Sequence, residues 1–204
     1  MAAEVLEIET PQGLARAHVH ACDDPVGVLA LGHGAGGSVG ARDLATAKRV
    51  ALEQRVSVVL LEQPYLVAGK KSTPRPPVLD EAWTAVMEHL RGGPLEGLPL
   101  VSGGRSSGAR VACRTAAATG SVGVLALAFP LLPPAREPKS RLPELDAVTV
   151  PTLVVQGVSD RFGMPPPGAN REVVQIAGDH RLTSDLPALA EAVQAWLPRV
   201  VSGA

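Results

Sequence analysis

Gly104, Ser106 and Gly108 satisfy the pattern G-x-S-x-G within Gly103-Gly104-Arg105-Ser106-Ser107-Gly108-Ala109-Arg110. A serine so placed sits in a strained turn between a strand and a helix. The flanking glycines make room where side chains would strike both elements. Ser107 does not fit the register, because Arg105 stands where its leading glycine would be. A serine hydroxyl at its own pKa is a poor nucleophile, so it needs a base, and the base needs an orienting acid. The chain order behind such a turn is serine, acid, histidine. His180, in Gly178-Asp179-His180, is the only histidine after Ser106. Asp160, in Gln156-Gly157-Val158-Ser159-Asp160, is the acid expected. Asp179 and Asp185 are its rivals; Asp179 ranks lower because it adjoins His180 and is poorly placed to reach the ring. The chemistry that these residue types suit is acyl transfer.

Attack on a carbonyl creates an oxyanion, which needs two backbone N–H donors. One is expected from Ser107, at the start of its helix. The other is expected from the loop Gly32-His33-Gly34-Ala35-Gly36-Gly37, at Ala35 or alternatively at Gly36. His33 reads as a residue bracing that loop, and His18, His20 and His89 as bland strand or helix positions. The same loop supports a rival reading, because Gly32, Gly34 and Gly37 also match G-x-G-x-x-G. Glu62 ends the following apolar run, 25 residues beyond Gly37, where an acid binding a ribose would stand. On that reading the chain is a nucleotide-binding oxidoreductase, and Ser106, Asp160 and His180 go unexplained.

These residues must be positioned by strands and helices. Glu4 to Glu9 and Leu14 to His20, separated by Pro11-Gln12-Gly13, read as a hairpin. Val26 to Leu31, Val56 to Leu61, Leu98 to Val101, Val122 to Ala128, Thr152 to Val155 and Glu172 to Ile176 are short, mostly apolar runs. Such runs suit strands buried on both faces of a parallel sheet. Between them, Leu79, Ala82, Trp83, Val86, Met87 and Leu90 form an amphipathic helical stripe, and Leu186, Leu189, Ala190, Val193 and Leu197 form another. Ser184 or Asp185 can cap the latter, and Pro187 suits its first turn. Ala41 to Glu53 and Ala109 to Thr119 also read as helices. Strands alternating with helices predict a parallel sheet covered on both sides, with ligands at the carboxyl ends of the strands.

Composition sets the bounds. The 204 residues fit one domain, 1–204, with Lys+Arg 19 against Asp+Glu 20. That balance offers no basic excess for nucleic acid, and 46% hydrophobic with 19% charged residues argues against disorder. The longest apolar runs, such as Val122 to Leu132, are too short to span a bilayer. Met1 to Thr10 does not read as a secretory signal, and two cysteines, Cys22 and Cys113, make no disulfide scaffold or structural zinc site. A cytoplasmic protein is expected. Aromatic residues are 2%, so the core must be built from Ala, Val and Leu.

With these motifs in place, the chain resembles the α/β-hydrolase superfamily from the Val26 strand to the last helix. The Gly32–Gly37 and Gly103–Gly108 motifs look like its compact branch similar to dienelactone hydrolases, named after a testis-expressed protein and a subunit of the NSL acetyltransferase complex. The resemblance implies a three-layer fold without a cap, Ser106 as nucleophile, Asp160 and His180 as acid and base, and oxyanion donors at Ala35 and Ser107. It requires no metal or cofactor. Dienelactone hydrolases use Cys where this chain has Ser106, so their substrate does not carry over.

The expectation is a serine hydrolase acting on a small ester, thioester or amide, with no nucleic-acid or membrane partner. A catalytically silent interaction module on the same fold is a further reading. Phe129 to Pro151 carries Pro130, Pro133, Pro134, Pro138 and Pro143, which disfavour a helical lid. Lys70, Lys71 and Arg105 are candidate cations for a substrate carboxylate.

Overall fold

The apolar runs become strands and the amphipathic stripes become the helices that cover them. The computed structural model describes residues 3–93, 95–133 and 139–203. At its edge β1 (Glu4–Thr10) and β2 (Gly13–His20) form the antiparallel hairpin, with Gly13 at φ 104° closing the turn. The hairpin joins β4 (Val56–Glu62) antiparallel, in the register Val19↔Val59. From there β3 (Gly27–Gly32), β5 (Leu100–Arg105), β6 (Gly123–Leu127), β7 (Thr152–Gly157) and β8 (Arg171–Ile176) run parallel. The strand order is β1-β2-β4-β3-β5-β6-β7-β8.

Two-residue alternation sends the side chains of each central strand to opposite layers. Leu29 and Leu31 of β3, with Val58 and Leu60 of β4, pack under α1 (Arg42–Glu53) and α6 (Leu186–Val201). Val28 and Ala30, with Val59 and Leu61, pack under α3 (Pro76–Arg91), where Trp83 is fully buried. Val124 and Ala126 of β6 meet α4 (Ser107–Thr115) on that same side. The core is Ala, Val and Leu with a few large side chains set into it, Trp83, Trp196 and Phe129.

Several boundaries differ from the sequence expectation for local reasons. The third helix starts at Pro76 rather than Leu79, because Pro76 and Pro77 fit a first turn whose N–H groups need no partner. Asp185, not Ser184, caps α6, accepting from Ala188 N at 3.1 Å. That helix continues through Pro198 to Val201. The carbonyl of Gln194, which Pro198 cannot serve, accepts from Gln54 Nε2 at 2.8 Å instead. Two short helices carry no periodic signal: α2 (Pro64–Val67) and α5 (Leu142–Asp146).

The region after β6 forms no lid among the described residues. Within it α5 packs its Leu145 against Ala109, Ala112 and Cys113 of α4, on the body of the fold. Pro143 sits in the first turn of α5, whereas Pro134 and Pro138 lie outside the described residues. No described helix is long and apolar enough to cross a membrane.

Candidate active site

At the carboxyl end of β5 the backbone turns sharply into α4. Ser106, at φ 53° and ψ −105°, is held in a region that non-glycine residues avoid. Its N–H donates to Leu127 O at 2.9 Å, which ties the strained residue to β6. The two glycines of the motif are sterically obligatory. A Cβ on Gly104 would lie 2.5 Å from Gly32 O, and one on Gly108 would lie 2.2 Å from the same atom. The turn can therefore form only where three backbone segments touch without side chains between them.

His180 follows β8 and Asp160 follows β7, and the structure brings both to Ser106. His180 Nε2 lies 3.0 Å from Ser106 Oγ, and His180 Nδ1 lies 2.8 Å from Asp160 Oδ2. In the neutral tautomer that fits both contacts, Nδ1–H donates to the carboxylate and Nε2 accepts from the hydroxyl. The Asp160 side chain is 1% exposed. Its Oδ2 also accepts from Gln156 Nε2 at 2.8 Å, and Oδ1 accepts from Phe162 N at 2.9 Å. The Phe162 ring packs edge-on against the imidazole, with centroids 4.5 Å apart. Asp179 is instead turned to its own loop, its Oδ1 accepting from Arg181 N.

Ala35 and Ser107 both line the cavity of about 350 Å³ that opens on Ser106, and Gly36 does not. Gly37 N donates to Gly34 O at 3.0 Å, closing a turn in which Gly36 takes φ 63°. The central amides of such a turn are left without an internal partner. Among the described residues neither Ala35 N nor Ser107 N donates to a protein acceptor. His33 braces the loop: Nδ1 meets Gly34 O at 2.8 Å and Nε2 accepts from Gln63 N at 3.2 Å.

Arg105 lines the cavity, but its guanidinium is already engaged. Nε lies 2.8 Å from Asp43 Oδ2 as a close charge contact, and Nη2 donates to the His180 carbonyl at 3.0 Å. Asp43 is 1% exposed in its side chain, and burial pushes its carboxyl pKa up while Arg105 pulls it back down. Lys70 lines a separate cavity of about 580 Å³ between the hairpin and α3, and Lys71 lines neither space. The structure thus does not bring Lys70 and Lys71 together with Ser106.

The same contact bears on the nucleotide reading. A pyrophosphate would be expected against the N-terminus of the helix after the glycine loop. The first turn of α1 there holds the buried Asp43 carboxylate, and Glu62 Oε2 lies 3.2 Å from His18 Nε2. Asp43, Gln156 and Phe162 had no motif to single them out. An acid at the start of a helical segment and a glutamine directly after an apolar run were the only signals available.

Comparison with known proteins agrees with this architecture. The sequence family described as an alpha/beta hydrolase domain matches residues 25–197. An α/β serine hydrolase without lid from Xanthomonas campestris superposes with a TM-score of 0.77 at 21% identity, covering 98% of this chain and 95% of that one. Est1E from Butyrivibrio proteoclasticus gives 0.76 at 15% identity, over 99% and 100%. A dienelactone hydrolase from Anabaena variabilis gives 0.78 at 15% identity, over 97% of each chain. At these identities the likeness establishes the fold. None of the curated proteins compared matches the chain.

Proposed function

The chain belongs to the alpha/beta hydrolase domain family, and from that premise we propose that it is a serine hydrolase of small carboxylic esters, thioesters or amides. The observation that carries this reading is the unbroken chain Ser106 Oγ, His180 and Asp160, with links of 3.0 and 2.8 Å. Ser106 attacks the substrate carbonyl as His180 Nε2 takes the hydroxyl proton. Asp160 fixes the ring tautomer and stabilises the imidazolium. The Ala35 and Ser107 amides hold the oxyanion, and His180 returns its proton to the leaving group. Water then enters by the same steps, with His180 as base, and releases the acyl group.

The reading falls within the compact branch similar to dienelactone hydrolases and named for a testis-expressed protein and an NSL-complex subunit, on the Gly32–Gly37 and Gly103–Gly108 motifs. Cysteine chemistry in the manner of dienelactone hydrolases has no counterpart at Cys113, which is buried on α4 with its thiol pushed up to about 12 by that burial.

A fluorophosphonate probe tests the proposal. Folded wild-type protein should be labelled and should hydrolyse short-chain esters, and Ser106→Ala should do neither. A folded protein that takes no label would identify a silent interaction module. Quenching of protein fluorescence on titration with NAD(H) would favour the nucleotide reading.

A further inference from the structure

The cavity of about 580 Å³ between the hairpin, α2 and the start of α3 shares no lining residue with the space over Ser106. Thr73 faces one and Pro74 faces the other, so the segment 70–75 is the partition between them. Its size suits a small organic molecule. The walls are apolar: Leu14 of β2, Pro64 and Val67 of α2, and Val78 and Leu79 of α3. No acidic side chain lines it. Two of its polar side chains are already engaged. Gln12 Nε2 donates to Glu81 Oε2, and Arg16 Nε lies 3.0 Å from Glu7 Oε1. Lys70, exposed at the same cavity, has no acid within salt-bridge distance among the described residues.

The inner end of the cavity is different in kind. Gln63, Tyr65 and Leu79 line it and also line a small internal space of about 10 Å³, whose far wall is His33, Trp83 and Ser107. Gln63 is 5% exposed and Trp83 is fully buried. Gln63 Nε2 donates to Leu79 O at 3.1 Å, but Gln63 Oε1 has no hydrogen-bond partner among the described residues, and neither has Trp83 Nε1. A buried acceptor and a buried donor thus stand unpaired around a space with room for one oxygen atom. A hydroxyl donates through its hydrogen and accepts on its lone pairs, so one hydroxyl serves both.

We propose that this cavity is a second ligand site, distinct from the Ser106 site, and that it takes a hydroxy carboxylate with an apolar chain between its two polar ends. The hydroxyl enters the internal space, donating to Gln63 Oε1 and accepting from Trp83 Nε1. The chain lies along Leu14, Val67 and Val78. The carboxylate reaches the mouth and pairs with Lys70. Anchoring at the buried end is worth more than pairing at the exposed one, because the unpaired groups there are shielded from water.

Calorimetric titration of the full chain with three probes of equal length tests the site: ω-hydroxyoctanoate, octanoate and octanediol. The first should bind about tenfold more tightly than octanoate, which lacks the hydroxyl, and about threefold more tightly than octanediol, which lacks the charge. Gln63→Leu should erase the advantage over octanoate, and Lys70→Gln the advantage over octanediol. Lys71→Gln, the same charge change at a residue that lines neither cavity, should alter nothing. Val78→Trp, at a half-buried wall position, should fill the space and weaken all three probes, which keeps the test decisive if Gln63→Leu fails to fold. Ser106→Ala should bind the probes as wild type does. Three equal affinities, no binding at all, or binding untouched by Val78→Trp overturns the proposal. So does binding that changes with Ser106→Ala, because the probe would then occupy the other cavity.

Discussion

Arg105 joins Asp43 of α1 to the carbonyl of His180, with contacts of 2.8 and 3.0 Å. A cation inside the serine turn thereby clamps the loop that carries the histidine. The close fit extends to the glycine loop, where a Cβ on Gly34 would lie 2.9 Å from Arg105 Nη1. Breaking one side of a buried pair leaves the other charge uncompensated, which costs about 3 kcal/mol. Asp43→Ala should therefore lower stability by that order, seen as an earlier urea midpoint. Arg105→Met removes the clamp on His180 and should lower kcat more than it raises KM. A variant with normal kcat would show that the His180 loop holds itself in place.

The glycines of the serine turn and of the Gly32–Gly37 loop should respond differently to the same substitution. Gly108→Ala would push a methyl to 2.2 Å from Gly32 O, and that clash is with backbone that cannot rotate away. The variant should misfold, or lose fluorophosphonate labelling with its turn distorted. Gly36→Ala meets nothing within 4 Å and suffers only from its φ of 63°, at a cost of about 1 kcal/mol. Thermal melts of the two proteins side by side settle the contrast, and equal losses would mean that contact with Gly32 is not what demands Gly108.

If the proposed reaction holds, Ser106, His180 and Asp160 should act as a unit. His180→Ala should remove as much esterase activity as Ser106→Ala, and the double variant should lose little more than either alone. Asp160→Asn turns an acceptor of three hydrogen bonds into a mixed donor and acceptor and holds His180 in the wrong tautomer. It should lower kcat by roughly four orders of magnitude. Ser107→Ala should change little, because only its backbone N–H is proposed to act. Independent, additive losses in the single variants would argue against one proton path through these residues.

The parallel part of the sheet was legible because most of its strands begin as mostly apolar runs closed by glycine or a charged residue, as at Leu31-Gly32 and Leu61-Glu62. Ser106, Asp160 and His180 were legible because each follows one of those runs, where a parallel sheet exposes its loops. What stayed hidden is set by contacts rather than pattern. Arg105 looked like a free cation until Asp43, 62 positions earlier, was seen beside it. Lys70 follows β4 in sequence, yet α2 turns the chain so that Lys70 N donates to Tyr65 O at 2.8 Å and the residue faces another cavity. The short helices α2 and α5 are too brief to show a period of 3.6.

His33 should give the fold a measurable pH dependence. Its ring bridges β3 to β4 as a neutral imidazole, with Nδ1–H donating to Gly34 O and Nε2 accepting from Gln63 N. A second proton would turn that acceptor into a donor facing an N–H. Burial holds its pKa below the ordinary 6.5, although the Gly34 carbonyl and Glu62 pull it upward. In the unfolded chain the ring regains its ordinary value, so as pH falls below about 6.5 the unfolded state takes up the proton first. The contribution of His33 is therefore complete above that pH and is lost as pH falls toward the depressed folded value. His33→Gln cannot titrate, while its amide can still donate to Gly34 and accept from Gln63. Urea midpoints measured at about pH 8 and about pH 5 should fall further for wild type than for the variant, the difference isolating His33 from half-buried His20 and the carboxylates. Equal falls in the two proteins would show that the His33 ring is not held neutral by the fold.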